Sequence, residues 1–500
     1  MSNDRNSYSS ITKSIGMFGG VRLFQILINV IRNKFVAIIL GPHGMGIVGL
    51  ITSSIHLITS CTNFGLEVSS VREISKAYSS KKYYEISERV TVLRRLVLLT
   101  GLLGTVVTFI LAPVLSKWAF GDYEYTMSFR IVSVVLFLDQ LWIGQKVLLQ
   151  GTYNYRYMAK ASLWGSVIGL FMTVPLYYVW KFSAIVPVII LTSVINVCLS
   201  TYYSRLISIK SIKMSYGEIF YKGREMLILG FAVATTGILN TGTIYLLRLV
   251  VGHWGNISDV GLYTAGVSAV NQYIGMILMS MASDYSPRLA AVSSDNRLFV
   301  ETINRQMKLL VTLVTPFILI FILFIKEITI LLYSSKFLPV TGMLEWMMIA
   351  MLFRAVAWSI SFGYVAKGDA KLFFFSEVFT TIISLTLSIL GYIIAGFEGM
   401  GVGFCINYMA YCIIHYLLSK WKYRYFTSKE TLRVIIPQIV LSVIVFGMLH
   451  LIDNSLYRYV FGFMGLLVVC FISFHYLNEM INLKSAFLQI LKKITHGKEI

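Results

Sequence analysis

Apolar runs of about 20 residues, set apart by short polar breaks, recur along the whole chain. A helix rises 1.5 Å per residue, so a run of about 20 crosses the hydrocarbon core of a bilayer. Fourteen runs read as spans: 11–40, 44–71, 90–115, 127–150, 159–180, 183–205, 225–251, 259–285, 306–333, 340–366, 371–395, 399–420, 432–452 and 457–477. Several exceed what a bilayer needs and are expected to tilt or project. The breaks are short: GPHGMG at 41–46 and HWGNISD at 253–259 are turns, not domains. The pattern predicts an all-α polytopic membrane protein that works within the bilayer.

The polar breaks differ in charge. With the N-terminus in the cytoplasm, the inward loops hold Arg72, Lys76, Lys81, Lys82, Arg89, Arg94 and Arg95 after the second span. Lys146, Arg156 and Lys160 follow the fourth, Arg205, Lys210 and Lys213 the sixth, and Lys422, Arg424 and Lys429 the twelfth. Outward breaks hold little beyond Lys117, Lys181, Lys326, Lys336 and Arg458. This asymmetry is the one that orients helices in bacterial inner membranes, and it predicts cytoplasmic termini. It also accounts for the net charge of +20 without nucleic acid. Composition agrees, with 57% apolar and 13% charged residues, against about 25% charged in soluble domains. The polar start MSNDRNSYSSITK, and a first span too long for a signal core, predict a retained helix. The five cysteines fall in apolar segments without metal-ligand spacing, so neither disulfides nor a metal is expected. The tail INLKSAFLQILKKI has the pattern of an interfacial helix.

One stripe changes the picture. RLFQILINVIR at 22–32 sets Arg22, Gln25, Asn29 and Arg32 at gaps of three, four and three, which places them on one helix face. An arginine in the membrane costs about 2.5–3.5 kcal/mol on insertion scales. Snorkelling would relieve Arg22 at one surface and Arg32 at the other, but Gln25 and Asn29 reach neither. The stripe therefore predicts a cationic lining of a water-filled cavity. Arg354, in the middle of the tenth span, is expected to join it, while Arg248 near the outer end of the seventh fits a cavity or an interface equally. Arg130 is expected to snorkel. Glu67, at about the depth of Arg22, is a candidate partner for it, and Asp139 lies mid-span. Asn240, Asn271 and Gln272 add uncharged donors. A net positive cavity calls for an anionic cargo, and guanidinium groups suit phosphate through paired, charge-assisted hydrogen bonds.

Enzyme signatures are absent: there is no GxxxxGK[ST], HExxH or GxSxG, so energy must come from a gradient. A weak internal repeat pairs VIRNKFVAIILGPHGMGIVGLITSS with YLLRLVVGHWGNISDVGLYTAGVS, each an arginine-bearing helix, a Gly-rich turn and a helix opening on VGL. Two halves with a site between them are a common transporter plan.

KFVAIILGPHGMGIVGL at 34–50 and NFGLEVSSVREIS at 63–75 resemble the polysaccharide flippases of the MOP superfamily, in particular the O-antigen or lipopolysaccharide (Wzx-type) group related to the lipid II flippase MurJ. The resemblance implies two pseudosymmetric six-helix lobes, 1–210 and 211–425, then two further helices at 426–480 and a cytoplasmic tail at 481–500. It implies a cargo of undecaprenyl-pyrophosphate-linked oligosaccharide, moved from the cytoplasmic to the periplasmic leaflet by alternating access. Arg22, Arg32, Arg354 and Arg248 would then hold the pyrophosphate, and Gln25, Asn29, Asn240, Asn271 and Gln272 the sugars. Glu67 or Asp139 would bind H+ or Na+ or pair with an arginine. No cofactor is expected; membrane lipids and polysaccharide-assembly enzymes are the expected partners. The rivals are a multidrug or cation antiporter on the same fold, disfavoured by a first span with two arginines and no acid, and a membrane glycosyltransferase or polymerase, disfavoured by the lack of a large outward loop.

Overall fold

Hydrocarbon offers the backbone no hydrogen-bond partners, so each apolar run must close its own. The computed structural model accordingly turns them all into helix. It describes residues 2–80, 82–452 and 454–481, with the backbone alone at 2–23, 229, 232, 233, 236, 283, 455 and 481. The amphipathic pattern predicted for the tail falls beyond 481, outside the described residues.

The helices are α1 (Ser2–Thr62), α2 (Leu66–Ser79), α3 (Tyr83–Phe120), α4 (Thr126–Gly151), α5 (Tyr155–Trp180), α6 (Ile185–Arg205), α7 (Tyr216–Trp254), α8 (Ile257–Ala291), α9 (Asn296–Leu323), α10 (Ile325–Leu332), α11 (Thr341–Ala366), α12 (Ala370–Tyr423), α13 (Lys429–Leu451) and α14 (Ser455–Ile481). No strand occurs among the described residues. The fourteen predicted spans are mostly helical, the second broken at 63–65 and the ninth at 324, and ten helical stretches are long and apolar enough to cross a membrane. Two of these, Tyr155–Arg205 and Ala370–Tyr423, run to 51 and 54 residues and hold two spans each.

The first break is a kink, not a loop. α1 carries the first span and most of the second, bent at Gly41 (φ 65°, ψ −171°) with Pro42 behind it. α12 repeats the device at Ala395 and Gly396 (φ 59°, ψ −138°). Glycine supplies a backbone conformation closed to other residues.

Four helices are capped on the side of the basic loops. Ser215 and Glu218 form a capping box on α7. Asp295 accepts from Arg297 N and Leu298 N on α9, Asp369 from Leu372 N on α12, and Ser428 from Thr431 N on α13. These caps satisfy backbone N–H groups that a helix start leaves orphaned.

By compactness the chain divides into two units, Met1–Ala265 with Leu331–Phe337, and Gly266–Ile330 with Leu338–Ile500. In the first, α1 packs on α3, α5 and α7, and α4 on α2, α3 and α6, over a core that includes Ile74, Val90, Leu93, Val147 and Leu148. The two repeated segments meet here. A Cβ on Gly46 would stand 1.9 Å from Ile257 O, and one on Gly261 1.8 Å from Pro42 O, so only glycine lets these backbones touch. In the second unit α9 is the hub, packed on α11, α13 and α14, with Phe299, Ile303, Leu310, Val311, Ala355 and Ile360 buried. Ile436, Val440, Val443, Leu467 and Phe471 on α13 and α14 are exposed, the outward apolar face that lipid requires.

Candidate functional site

Four helices of the first unit enclose a polar cavity of about 420 Å³. α1 lines it with Gln25, Asn29 and Arg32, one face of a helix at gaps of four and three. α4 contributes Trp142 and Lys146, a turn apart, and α6 Thr192 and Asn196, again a turn apart. α5 supplies small residues, Ala159, Ser162, Gly165 and Ser166. Their size is what leaves the space: a Cβ on Gly165 would lie 2.8 Å from Asn196 Oδ1.

The cavity holds two cations of different kinds. Arg32 has no carboxylate within ion-pair distance among the described residues; Tyr177 on α5 is its electrostatic neighbour. Lys146 Nζ is 2.6 Å from Glu67 Oε1 on α2 and 5.6 Å from the Trp142 ring centroid. The Lys146 and Glu67 side chains keep 35% and 39% of their surface, so both stay open to solvent exchange. Glu67 therefore pairs with Lys146, where the sequence suggests Arg22. Lys146 itself, read from sequence as a loop cation, lies within α4. The Arg22 side chain lies outside the described residues.

The other predicted residues lie elsewhere. Asp139 accepts a 2.8 Å hydrogen bond from Ser193 Oγ and is not on the cavity wall. Arg248 Nη1 donates to Gly49 O at 2.9 Å, across α7 and α1. Asn240 is exposed on α7. Arg130, expected to snorkel, lies over the Phe109 ring at 5.5 Å. In the second unit Arg354 lies over the Tyr408 ring at 5.5 Å, with Nη1 3.8 Å from Met351 Sδ. Asn271 and Gln272 fall on α8 in that unit, the first exposed and the second half-buried. The structure thus brings together Gln25, Asn29, Arg32 and Lys146. The last was missed because its place on the wall depends on how α4 packs.

Membrane-crossing helices with a polar, cation-bearing cavity among them define a multi-pass membrane protein. Its fold is shared with solved transporters, two of them described as members of the MOP superfamily. Lipid II flippase MurJ in an inward closed conformation superposes with a TM-score of 0.67 at 15% identity, over 92% of this chain and 99% of that one. An inward-facing multidrug-resistance MATE family transporter gives 0.66 at 15% identity, over 82% and 98%. A MOP superfamily transporter from Pyrococcus furiosus gives 0.59 at 15%, over 82% and 96%. The chain belongs to the family described as polysaccharide biosynthesis protein, whose profile matches residues 35–341. A Shigella flexneri protein described as an O-antigen transporter is 22% identical over 350 residues, 68% of this chain and 80% of that protein.

Proposed function

We propose that this protein is a flippase of the bacterial inner membrane. It moves an undecaprenyl-pyrophosphate-linked oligosaccharide from the cytoplasmic to the periplasmic leaflet by alternating access, with both termini cytoplasmic. The observation that carries this reading is a cavity whose α1 wall bears Arg32 without a carboxylate partner among the described residues, beside Lys146. Arg32 and Lys146 hold the pyrophosphate, joined by Arg22, which the sequence spacing assigns to the same stripe. Gln25, Asn29, Thr192 and Asn196 offer donors and acceptors to sugar hydroxyls. Glu67 is the carboxylate through which a proton or sodium gradient acts, because neutralising it frees Lys146 for the cargo. Family and relative support polysaccharide assembly, while the fold alone serves a drug antiporter equally well. A drug-resistance profile separates the two.

The test is lipid-linked oligosaccharide flipping in proteoliposomes or by complementation, with the Arg22→Ala/Arg32→Ala double variant. Each lost charge-assisted hydrogen-bond set is worth roughly 1.5–3 kcal/mol, so transport is expected to fall about tenfold or more. Near-normal flipping by a stably expressed double variant rejects these roles.

A further inference from the structure

A polar recess in the second unit is built by two stretches far apart in sequence. Arg297, Glu301, Asn304, Arg305 and Lys308 share one face of the first turns of α9. Opposite them run Arg424, Phe426 and Ser428, in the connector from α12 to α13. Together they enclose about 610 Å³. The connector is fastened to the helix. Asn304, 4% exposed, donates from Nδ2 to Phe426 O at 3.1 Å and accepts from Ser428 N at Oδ1, also at 3.1 Å. Asn296 Nδ2 donates to Tyr423 O at 2.9 Å. Arg424 ends α12 in the left-handed region (φ 52°, ψ 34°), where glycine would be easier.

The charges are unevenly matched. Glu301 is taken by Arg305, one turn along α9, at 3.2 Å. Glu430 stands in the first turn of α13, where a carboxylate complements the helix dipole. Arg297, Lys308 and Arg424 form no ion pair among the described residues. α9 and α13 begin at this recess, capped by Asp295 and Ser428, and α12 ends at it in Arg424. Phe426, 60% exposed, gives it one apolar side. Basic loops in general need only a surplus of charge. Three cations without an ion pair among the described residues, lining one walled recess, are a narrower arrangement, and it fits a group with several clustered negative charges.

We propose that this recess binds a phosphate-bearing anion at the membrane surface, on the side of the basic loops, at a site separate from the α1 cavity. The anion is either a lipid headgroup with a terminal phosphate or a soluble phosphate compound; the recognition chemistry is the same. Arg297, Lys308 and Arg424 contact the phosphate oxygens, and Phe426 packs against whatever carries them.

The experiment uses the full-length purified protein and two probes, inorganic pyrophosphate and short-chain phosphatidic acid, with short-chain phosphatidylcholine as the neutral lipid. It is run in an Arg32→Ala background, so that loss of the α1 cavity's anion binding cannot be mistaken for loss here. Binding of at least one phosphate probe is expected. Arg297→Gln, Lys308→Gln and Arg424→Gln should each weaken it roughly fivefold or more, the loss of one charge-assisted contact. Arg433→Gln, one turn into α13 and off the recess wall, should change it less than about twofold. Phosphatidic acid alone binding assigns a lipid headgroup, pyrophosphate alone a soluble ligand. Arg297→Gln, at an exposed position, keeps the test open if Arg424→Gln fails to fold. The proposal is overturned if neither probe binds, or if the recess variants weaken binding no more than Arg433→Gln.

Discussion

Two regions of this protein carry polar groups inside apolar helices, and they treat them in opposite ways. In the first unit, Gln25, Asn29 and Arg32 border about 420 Å³ of space, and Glu67 is bound to Lys146 instead. In the second, polar groups of α11 and α12 are packed onto each other. Glu377 Oε1 accepts from Tyr411 Oη at 2.6 Å. Tyr364 Oη donates to His415 O at 3.1 Å and accepts from Ser419 Oγ at 3.3 Å. The Tyr411 and His415 rings stand 4.0 Å apart, and Arg354 is covered by Tyr408. A charge in a membrane helix is therefore not by itself a mark of transport. What separates the two regions is whether the polar groups are packed against one another or face room for something else.

The largest effect should come from breaking the completed region. Tyr411→Phe removes the donor to Glu377 and leaves a half-buried carboxyl without its short hydrogen bond. An unsatisfied buried group costs about 1–3 kcal/mol, and more when charged. A clear fall in melting temperature in detergent is expected, rescued in part by pairing the variant with Glu377→Leu. Asn29→Leu, on the cavity wall, should leave the melting temperature nearly unchanged while impairing flipping. If Tyr411→Phe melts like the parent yet stops transport, the second region is a working site and the comparison fails.

The same contrast explains what could be read beforehand. The stripe at 25, 29 and 32 belongs to one helix, so its shared face follows from the 3.6-residue period alone. The fourteen spans were legible because bilayer thickness sets helix length. Lys146 was not: it sits near the end of a span, where a lysine ordinarily reaches for water, and only the packing of α4 against α2 brings it to Glu67. The ring contact of Arg354 was not legible for the same reason. Its neighbour Tyr408 is 54 residues away in sequence (408 − 354), and no periodicity reports on it. The break at 41–46 was read as a turn between two helices because Gly-Pro ends helices as readily as it kinks them. The chain keeps helical geometry on both sides of Gly41.

An intermediate effect should sharpen the description of the open region. Glu67→Gln keeps the shape of the side chain and removes the charge that competes for Lys146. Anion affinity should then rise severalfold, as expected when one of two charges in a partly solvated site is released. Pyrophosphate binding measured on the purified protein checks this. Flipping by the same variant should lose its dependence on the ion gradient. Unchanged or weaker binding would mean that Lys146 is committed to Glu67 and takes no part with the cargo.

The smallest effect concerns Trp142. Its ring lies beside Lys146 on the preceding turn of α4 and on the cavity wall. A cation over an aromatic face gains about 0.5–1 kcal/mol at exposed sites, and more when desolvated. Trp142→Leu removes that interaction but leaves the Glu67 pair intact at 2.6 Å. Pyrophosphate affinity should therefore shift by only about two- to fivefold. Flipping of the full cargo should fall further than binding of bare pyrophosphate if the indole also stacks on sugar rings. Equal losses in both assays would confine Trp142 to holding Lys146 in place, and would leave sugar contact to Asn29, Thr192 and Asn196.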